Sequence, residues 1–180
     1  MNMTDEIRIM TSGAFTAAYL TLIPRLEPLT GKKLVTAATS IGTGETSIPN
    51  RLRRHESVDV VIVADAVLLG FIKDGLIVAD SYTPLARSAI GMAVRKGAPK
   101  PDIGTVDSLT STLLQAHSIA YSASVSGEYL TTELLPRLGI ADRVLPNCRR
   151  IEGGERVGAV IARGEAEIGF QQLSELLPVP

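Results

Sequence analysis

Val58-Asp59-Val60-Val61-Ile62-Val63-Ala64-Asp65 is a short, nearly continuous apolar run closed by an acidic residue. A run of this kind, rich in β-branched side chains, reads as a strand covered on both faces, as strands in a parallel sheet are. Working back from it, residues 7–10 and 34–38 carry the same β-branched or small apolar content. Residues 15–29 read as a helix capped by Ser12 or Thr16, with Pro24 and Pro28 breaking its later turns. A loop containing glycine, Thr39-Ser40-Ile41-Gly42-Thr43-Gly44-Glu45-Thr46-Ser47, follows the second strand and leads to a helix over 49–55 with proline in its favoured early position. Forward from the run, residues 66–73 read as a helix that stops at Gly75. Strand and helix alternate three times in about eighty residues, which predicts an α/β fold with a parallel sheet wrapped by helices. Ligands of such sheets bind beyond the C-terminal ends of the strands.

From Pro84 the pattern changes. Residues 86–95 read as a longer extended stretch, followed by the stiff turn Gly97-Ala98-Pro99-Lys100-Pro101. This predicts a crossover strand between a first α/β lobe, residues 1–84, and a second α/β lobe, residues 85–180. The second lobe contains a helix over 106–115, strands at 118–121, 149–151 and 167–171, and helices over 128–138 and 155–163, the last introduced by Gly153-Gly154.

The chain has 180 residues, 45% of them hydrophobic, with Lys+Arg 18 against Asp+Glu 19. A balance so close to neutral, without a long basic cluster, argues against a nucleic-acid partner. One cysteine, Cys148, excludes an internal disulfide, and no Cys/His spacing suggests a metal site. No cofactor motif is visible, and Gly42-Thr43-Gly44 lacks the Gly-Lys-Ser/Thr ending of a phosphate loop. No apolar stretch reaches the length of a membrane span. The first residues lead straight into a strand without leader features, so the chain as written reads as cytoplasmic, and as periplasmic if a leader has been removed.

The chemistry concentrates in Tyr121-Ser122-Ala123-Ser124-Val125-Ser126-Gly127-Glu128, between a strand and a helix. The first turn of a helix presents unpaired N–H groups, and serine hydroxyls add neutral donors, so a small anion can be held there without a cationic side chain. Serine is also a common helix cap, which requires no ligand. Thr11-Ser12-Gly13-Ala14-Phe15 repeats the arrangement after the first strand, so two such loops facing each other across a cleft would clamp an anion.

These residues resemble the periplasmic-type solute-binding proteins of the second topological class, in their molybdate-binding-protein-like branch. The resemblance is carried by Ser12-Gly13-Ala14, by the Gly/Thr/Ser loop after strand two, and by residues 59–65. The crossover around 87–95 and the segment Val157-Gly158-Ala159-Val160-Ile161-Ala162-Arg163-Gly164-Glu165-Ala166-Glu167-Ile168-Gly169-Phe170 complete it. It implies a two-lobed type II fold, each lobe a mainly parallel sheet flanked by helices, closing on a small anion. The implied ligand residues are Ser12, Gly13, Ser40, Ser122, Ser124, Ser126 and Gly127, and the implied partner of an exported form is a transporter permease. Members of the family usually return to the first lobe with about fifty further residues, and that return is expected to be missing here.

Where oxyanion binders of the family carry a small-residue or tyrosine-containing segment, this chain has Phe170-Gln171-Gln172. The Gln171 amide can bond an organic acid, and the run around it is similar to aconitate isomerases, which share the fold. Such an enzyme interconverts cis- and trans-aconitate by a 1,3-proton shift and needs a base next to a carboxylate. Glu45 and Asp65 are the candidate bases, although each also suits a helix start. Arg87 is the cation expected to meet a ligand carboxylate. No Gly-x-Ser-x-Gly elbow supports a serine nucleophile. Three readings therefore stand: a solute-binding protein for an organic polycarboxylate or a molybdate-like oxyanion, an isomerase of the aconitate type, and a cytoplasmic ligand-sensing module.

Overall fold

The computed structural model describes residues 5–42, 44–152 and 154–179. Thr43, Gly153 and Pro180, which belong to stretches read above, lie outside the described residues. The chain forms two compact units that divide between Arg87 and Ser88.

The first unit is built from β1 (Glu6–Thr11), α1 (Gly13–Thr30), β2 (Lys33–Ala38), α2 (Ile48–Arg53), β3 (Val60–Ile62) and α3 (Asp65–Lys73). Its sheet has the order β2-β1-β3 with both pairings parallel. Alternation along β1 separates two cores. Ile9 packs with Tyr19 of α1 and Leu34, while Met10 packs with Ile48 and Leu52 of α2 and Phe71 of α3. The apolar run is covered on both faces, as its sequence suggests, but it forms an edge strand. Val61 and Ile62 join opposite cores, but Val60 is 41% exposed because β3 lies at the end of the sheet order.

Pro24 and Pro28 do not break α1, which runs through both. Both prolines lie on its exposed side, where carbonyls that lose an intrahelical N–H partner can be solvated. The helix stops at Gly31 in the left-handed conformation, whose N–H donates to the Glu27 carbonyl. After a 3-10 turn at Ala79–Ser81, residues 82–89 have no regular structure and are all exposed. The long crossover strand is therefore shorter than its sequence suggests and is confined to β4 (Ile90–Val94).

The second unit continues with α4 (Val106–Gln115), β5 (Ile119–Ser122) and α5 (Val125–Tyr129), which passes through a π-helical turn, Leu130–Leu134, into α6 (Leu135–Arg137). It is completed by α7 (Ala141–Val144), β6 (Cys148–Ile151), α8 (Val157–Ala162), β7 (Ile168–Gln172) and α9 (Leu173–Leu176). The sheet order is β4-β7-β5-β6, with β5 parallel to both neighbours and β4 antiparallel to β7. One face buries Ile119, Ile168 and Phe170 with Leu113, Leu130 and Leu135. The other buries Ala120 and Ile151 beneath Val157, Val160 and Ile161 of α8. On that face Gly169 admits α8 closely, since a Cβ there would stand 2.5 Å from Val157 Cγ1.

Candidate functional site

Parallel strands bring their C-terminal ends to one edge, and the second unit assembles its polar residues there. Ser122 closes β5 and lies opposite Ile151, the last residue of β6. The Ala123 N–H extends this pairing by donating to the Ile151 carbonyl at 3.1 Å. Tyr121 pairs with Phe170, so the next residues along the two strands, Ser122 and Gln171, come side by side. By alternation with Ala120 and Gly169 they point to the face covered by α8.

Three serine hydroxyls converge at this edge. Ser122 Oγ lies 2.8 Å from Ser124 Oγ and 2.9 Å from Ser126 Oγ, and Ser124 and Ser126 are 3.3 Å apart. Ser126 is fully buried and Ser122 is 5% exposed. Three hydroxyls carry three protons, which a closed ring uses up. The long Ser124–Ser126 side is the weakest, so its proton is the easiest to turn outward toward an anion. Ser124 stands at the N-cap of α5, yet its hydroxyl makes no capping bond. The capping role open to these serines in the sequence is thus not taken up by Ser124, which bonds the other two.

Gly127, expected beside the serines as a ligand residue, has a packing role. A Cβ there would fall 1.8 Å from the Ser122 carbonyl oxygen and 2.7 Å from the Tyr121 ring, so glycine is what lets α5 close onto β5. Gln171 is 4% exposed, and its Oε1 accepts from the Val157 N–H at 2.9 Å at the start of α8. Its side chain is further bonded to Glu175 of α9. The amide expected to meet the ligand is therefore held inside the unit, joining β7, α8 and α9.

Glu175 and Arg156 escaped notice in the sequence. Burial pushes the Glu175 carboxyl up, while the Gln171 bond and the attraction of Arg156 pull it down. Arg156 is the exposed N-cap residue of α8. The available signal for Glu175 was its place three residues after Gln172, the N-cap of α9. Nothing in the local sequence marks Arg156, because the carboxyl whose charge it attracts comes from α9.

In the first unit the corresponding edge carries Ser12, the loop after β2 and Asp65. The Ser12 N–H donates to the Ile62 carbonyl at 2.8 Å, and its hydroxyl makes no capping bond. Gly13 is the exposed first residue of α1. Ser40 Oγ accepts from the Gly42 N–H at 3.2 Å, and the Ser40 carbonyl accepts from the Ile48 N–H at 2.7 Å. Ser47, buried at the N-cap of α2, has a hydroxyl without a partner among the described residues. Glu45 is exposed, and its carbonyl accepts from the Arg54 guanidinium at 2.8 Å.

Asp65 is the first residue of α3, preceded by Ala64 as N-cap, and its Oδ1 accepts from the Tyr82 hydroxyl at 2.8 Å. That bond raises the Tyr82 pKa. Arg87 is exposed in the irregular connector, with no ion-pair partner among the described residues. The structure thus gathers Ser122, Ser124, Ser126 and Gln171 in one unit and places Ser12, Gly13, Ser40, Glu45 and Asp65 in the other. Among the described residues no helix is long and apolar enough to cross a membrane, and no cluster of His, Cys, Asp or Glu is placed to hold a metal.

A family model described as bacterial extracellular solute-binding protein matches residues 7–180. An aconitate isomerase from a Pseudomonas species is 45% identical over 175 residues, which is 97% of this chain and 66% of that protein. The chain therefore spans just under two thirds of the length of this curated relative. Among solved structures, the Azotobacter vinelandii periplasmic molybdate-binding protein superposes with a TM-score of 0.69 at 19% identity, covering 93% of this chain and 71% of that one. A substrate-binding domain assigned to a molybdenum ABC transporter from Clostridium difficile gives 0.68 at 16% identity, covering 96% and 73%. These superpositions show a shared fold alone and carry no ligand with them.

Proposed function

Because the chain belongs to the bacterial extracellular solute-binding protein family, we propose that it binds an organic polycarboxylate, with the Ser122, Ser124 and Ser126 hydroxyls donating to one ligand carboxylate. The observation that carries this reading is the hydroxyl triangle itself, two of whose members are almost withdrawn from water. Buried neutral donors gathered at one point suit a small anion, and their desolvation is already part of the folded state. Polycarboxylate is favoured over molybdate because the 45% identical relative is an aconitate isomerase, whereas the molybdate-associated structures are below 20% identical. The family's extracellular description supports an exported protein that works with a transporter permease.

The same relative favours a second reading, isomerisation of aconitate. A base removes a proton from the methylene next to one carboxylate, the double bond moves by one carbon, and a proton returns to the far carbon, so one proton leaves and one arrives. Asp65 and Glu45 are the bases proposed for this step, and the Tyr82 hydroxyl holds Asp65 in place.

Thermal-shift measurements with cis-aconitate, trans-aconitate, citrate, molybdate and sulfate test the binding reading. A polycarboxylate at about one hundred times its Kd is expected to stabilise the protein by roughly 2.7 kcal/mol. Replacing Ser124 and Ser126 together by alanine is expected to weaken binding by about 10- to 100-fold, from the loss of hydrogen bonds to a charged group. No stabilisation by any polycarboxylate overturns the reading. For the isomerase, proton NMR of cis-aconitate incubated with protein is expected to show trans-aconitate appearing, and its absence at high protein concentration rejects this second reading.

A further inference from the structure

The serine cluster has a neighbour of opposite character at the same strand edge. Ser122 lies beside Gln171, Gln171 Oε1 accepts from the Val157 N–H, and Arg156 immediately precedes Val157. One strand spacing, the Gln171 side chain, one hydrogen bond and one residue therefore link the serines to the Arg156 backbone, a separation on the order of 10 Å if the path folds back over the strand edge. An extended arginine side chain reaches across much of such a gap.

Most arginines around it are committed elsewhere. Arg149 pairs with Glu165 at 3.2 Å, Arg150 with Glu152 at 3.1 Å, and Arg163 with Glu155 and Glu165. Arg156 forms no such ion pair among the described residues, and the carboxylate that attracts it, Glu175, is half-buried and tied to Gln171. An exposed guanidinium that no ion pair engages among the described residues keeps its donors free for a ligand carboxylate, which it can meet bidentately.

We propose that Arg156 reads a second carboxylate of the ligand, one that the serine cluster does not hold, and that Gln171, bonded to the Val157 N–H next to it, positions its backbone. Arg156 thereby selects polycarboxylates over single oxyanions, a role that the sequence reading gave to Arg87. The inference rests on the polycarboxylate reading above and names the group that distinguishes its substrate class.

The test is calorimetric titration of the parent, Arg156→Gln and Arg156→Lys with cis-aconitate, alongside the melting temperature of each unliganded protein. Arg156→Gln is expected to bind about 10- to 100-fold more weakly, as loss of a charge-assisted pair implies. Arg156→Lys is expected to recover part of that loss, with the unliganded melting temperatures unchanged. If the parent binds cis-aconitate and Arg156→Gln binds equally well, the role of Arg156 is rejected while the polycarboxylate reading survives. If both variants are equally impaired and melt lower, Arg156 is a structural residue and the inference is overturned. If the parent binds no polycarboxylate, the functional reading fails and this inference falls with it.

Discussion

Cys148 shows how a single residue's chemistry is set by its surroundings. Its thiol donates to the Val144 carbonyl at 3.3 Å, and burial pushes its pKa up to about 11. Only the thiolate reacts, and at pH 8 a group of this pKa is ionised to about one part in a thousand. Alkylation by iodoacetamide at pH 8 is accordingly expected to be at least ten-fold slower than for a free thiol of ordinary pKa, and to reach the ordinary rate in denaturant. Equal rates in the native and denatured protein would contradict the burial. Cys148 is partly buried against the core of the second unit. Ser122, Ser124 and Ser126 were legible in the sequence, because the density of serine ahead of a helix is a local pattern. The engagement of Gln171 was not, since its partners Val157 and Glu175 come from α8 and α9.

At the scale of elements, glycine placement decides whether the serine edge can form. At Gly127 an added methyl collides with the Ser122 carbonyl, so α5 must move away from β5. Gly127→Ala is expected to destabilise the protein by about 1–3 kcal/mol or more and to abolish anion-induced stabilisation. Gly70 makes the contrast. It lies inside α3, where an added Cβ meets nothing within 4 Å, so Gly70→Ala is expected to stabilise by about 0.5–1 kcal/mol. Urea unfolding of both variants checks the pair, and equal signs would contradict the packing argument. The helix beyond Gly127 also contains the π-helical turn Leu130–Leu134, with the Thr131 hydroxyl donating to the Gly127 carbonyl at 3.1 Å. The apolar spacing of residues 128–138 reveals a helix but not this wider turn, which depends on hydrogen bonds one residue longer than usual.

Across the whole molecule, the longest irregular stretch that is exposed throughout among the described residues is the connector between the units. Residues 82–89 are exposed and irregular, and Arg87 ends the first unit. Proteases select such segments because their backbone can be drawn into an active site without unfolding a core. Brief trypsin treatment is expected to cut first after Arg87, giving two fragments whose masses identify the site, and a first cut inside α1 or α4 would contradict this. The β4 end of the connector is tied down by the Ser88 hydroxyl donating to Gln172 Oε1 at 2.7 Å and by the Leu173 N–H donating to the Ala89 carbonyl at 2.8 Å.

What the sequence determined by itself was local and periodic. β-Branched runs alternating with helical spacings pointed to parallel sheets, the change of pattern after Pro84 pointed to a second unit, and the density of serine over residues 122–126 marked the strand edge where the three hydroxyls converge. These features depend on residues close together in the chain, where periodicity and turn chemistry act directly. Tertiary structure decided what depends on distant partners. The sheet order left Val60 exposed at an edge, solvent on one side let α1 continue through Pro24 and Pro28, and the approach of α8 and α9 to β7 turned Gln171 inward and left Arg156 exposed ahead of α8. A side chain's role there is settled by which groups remain unsatisfied once the elements have packed.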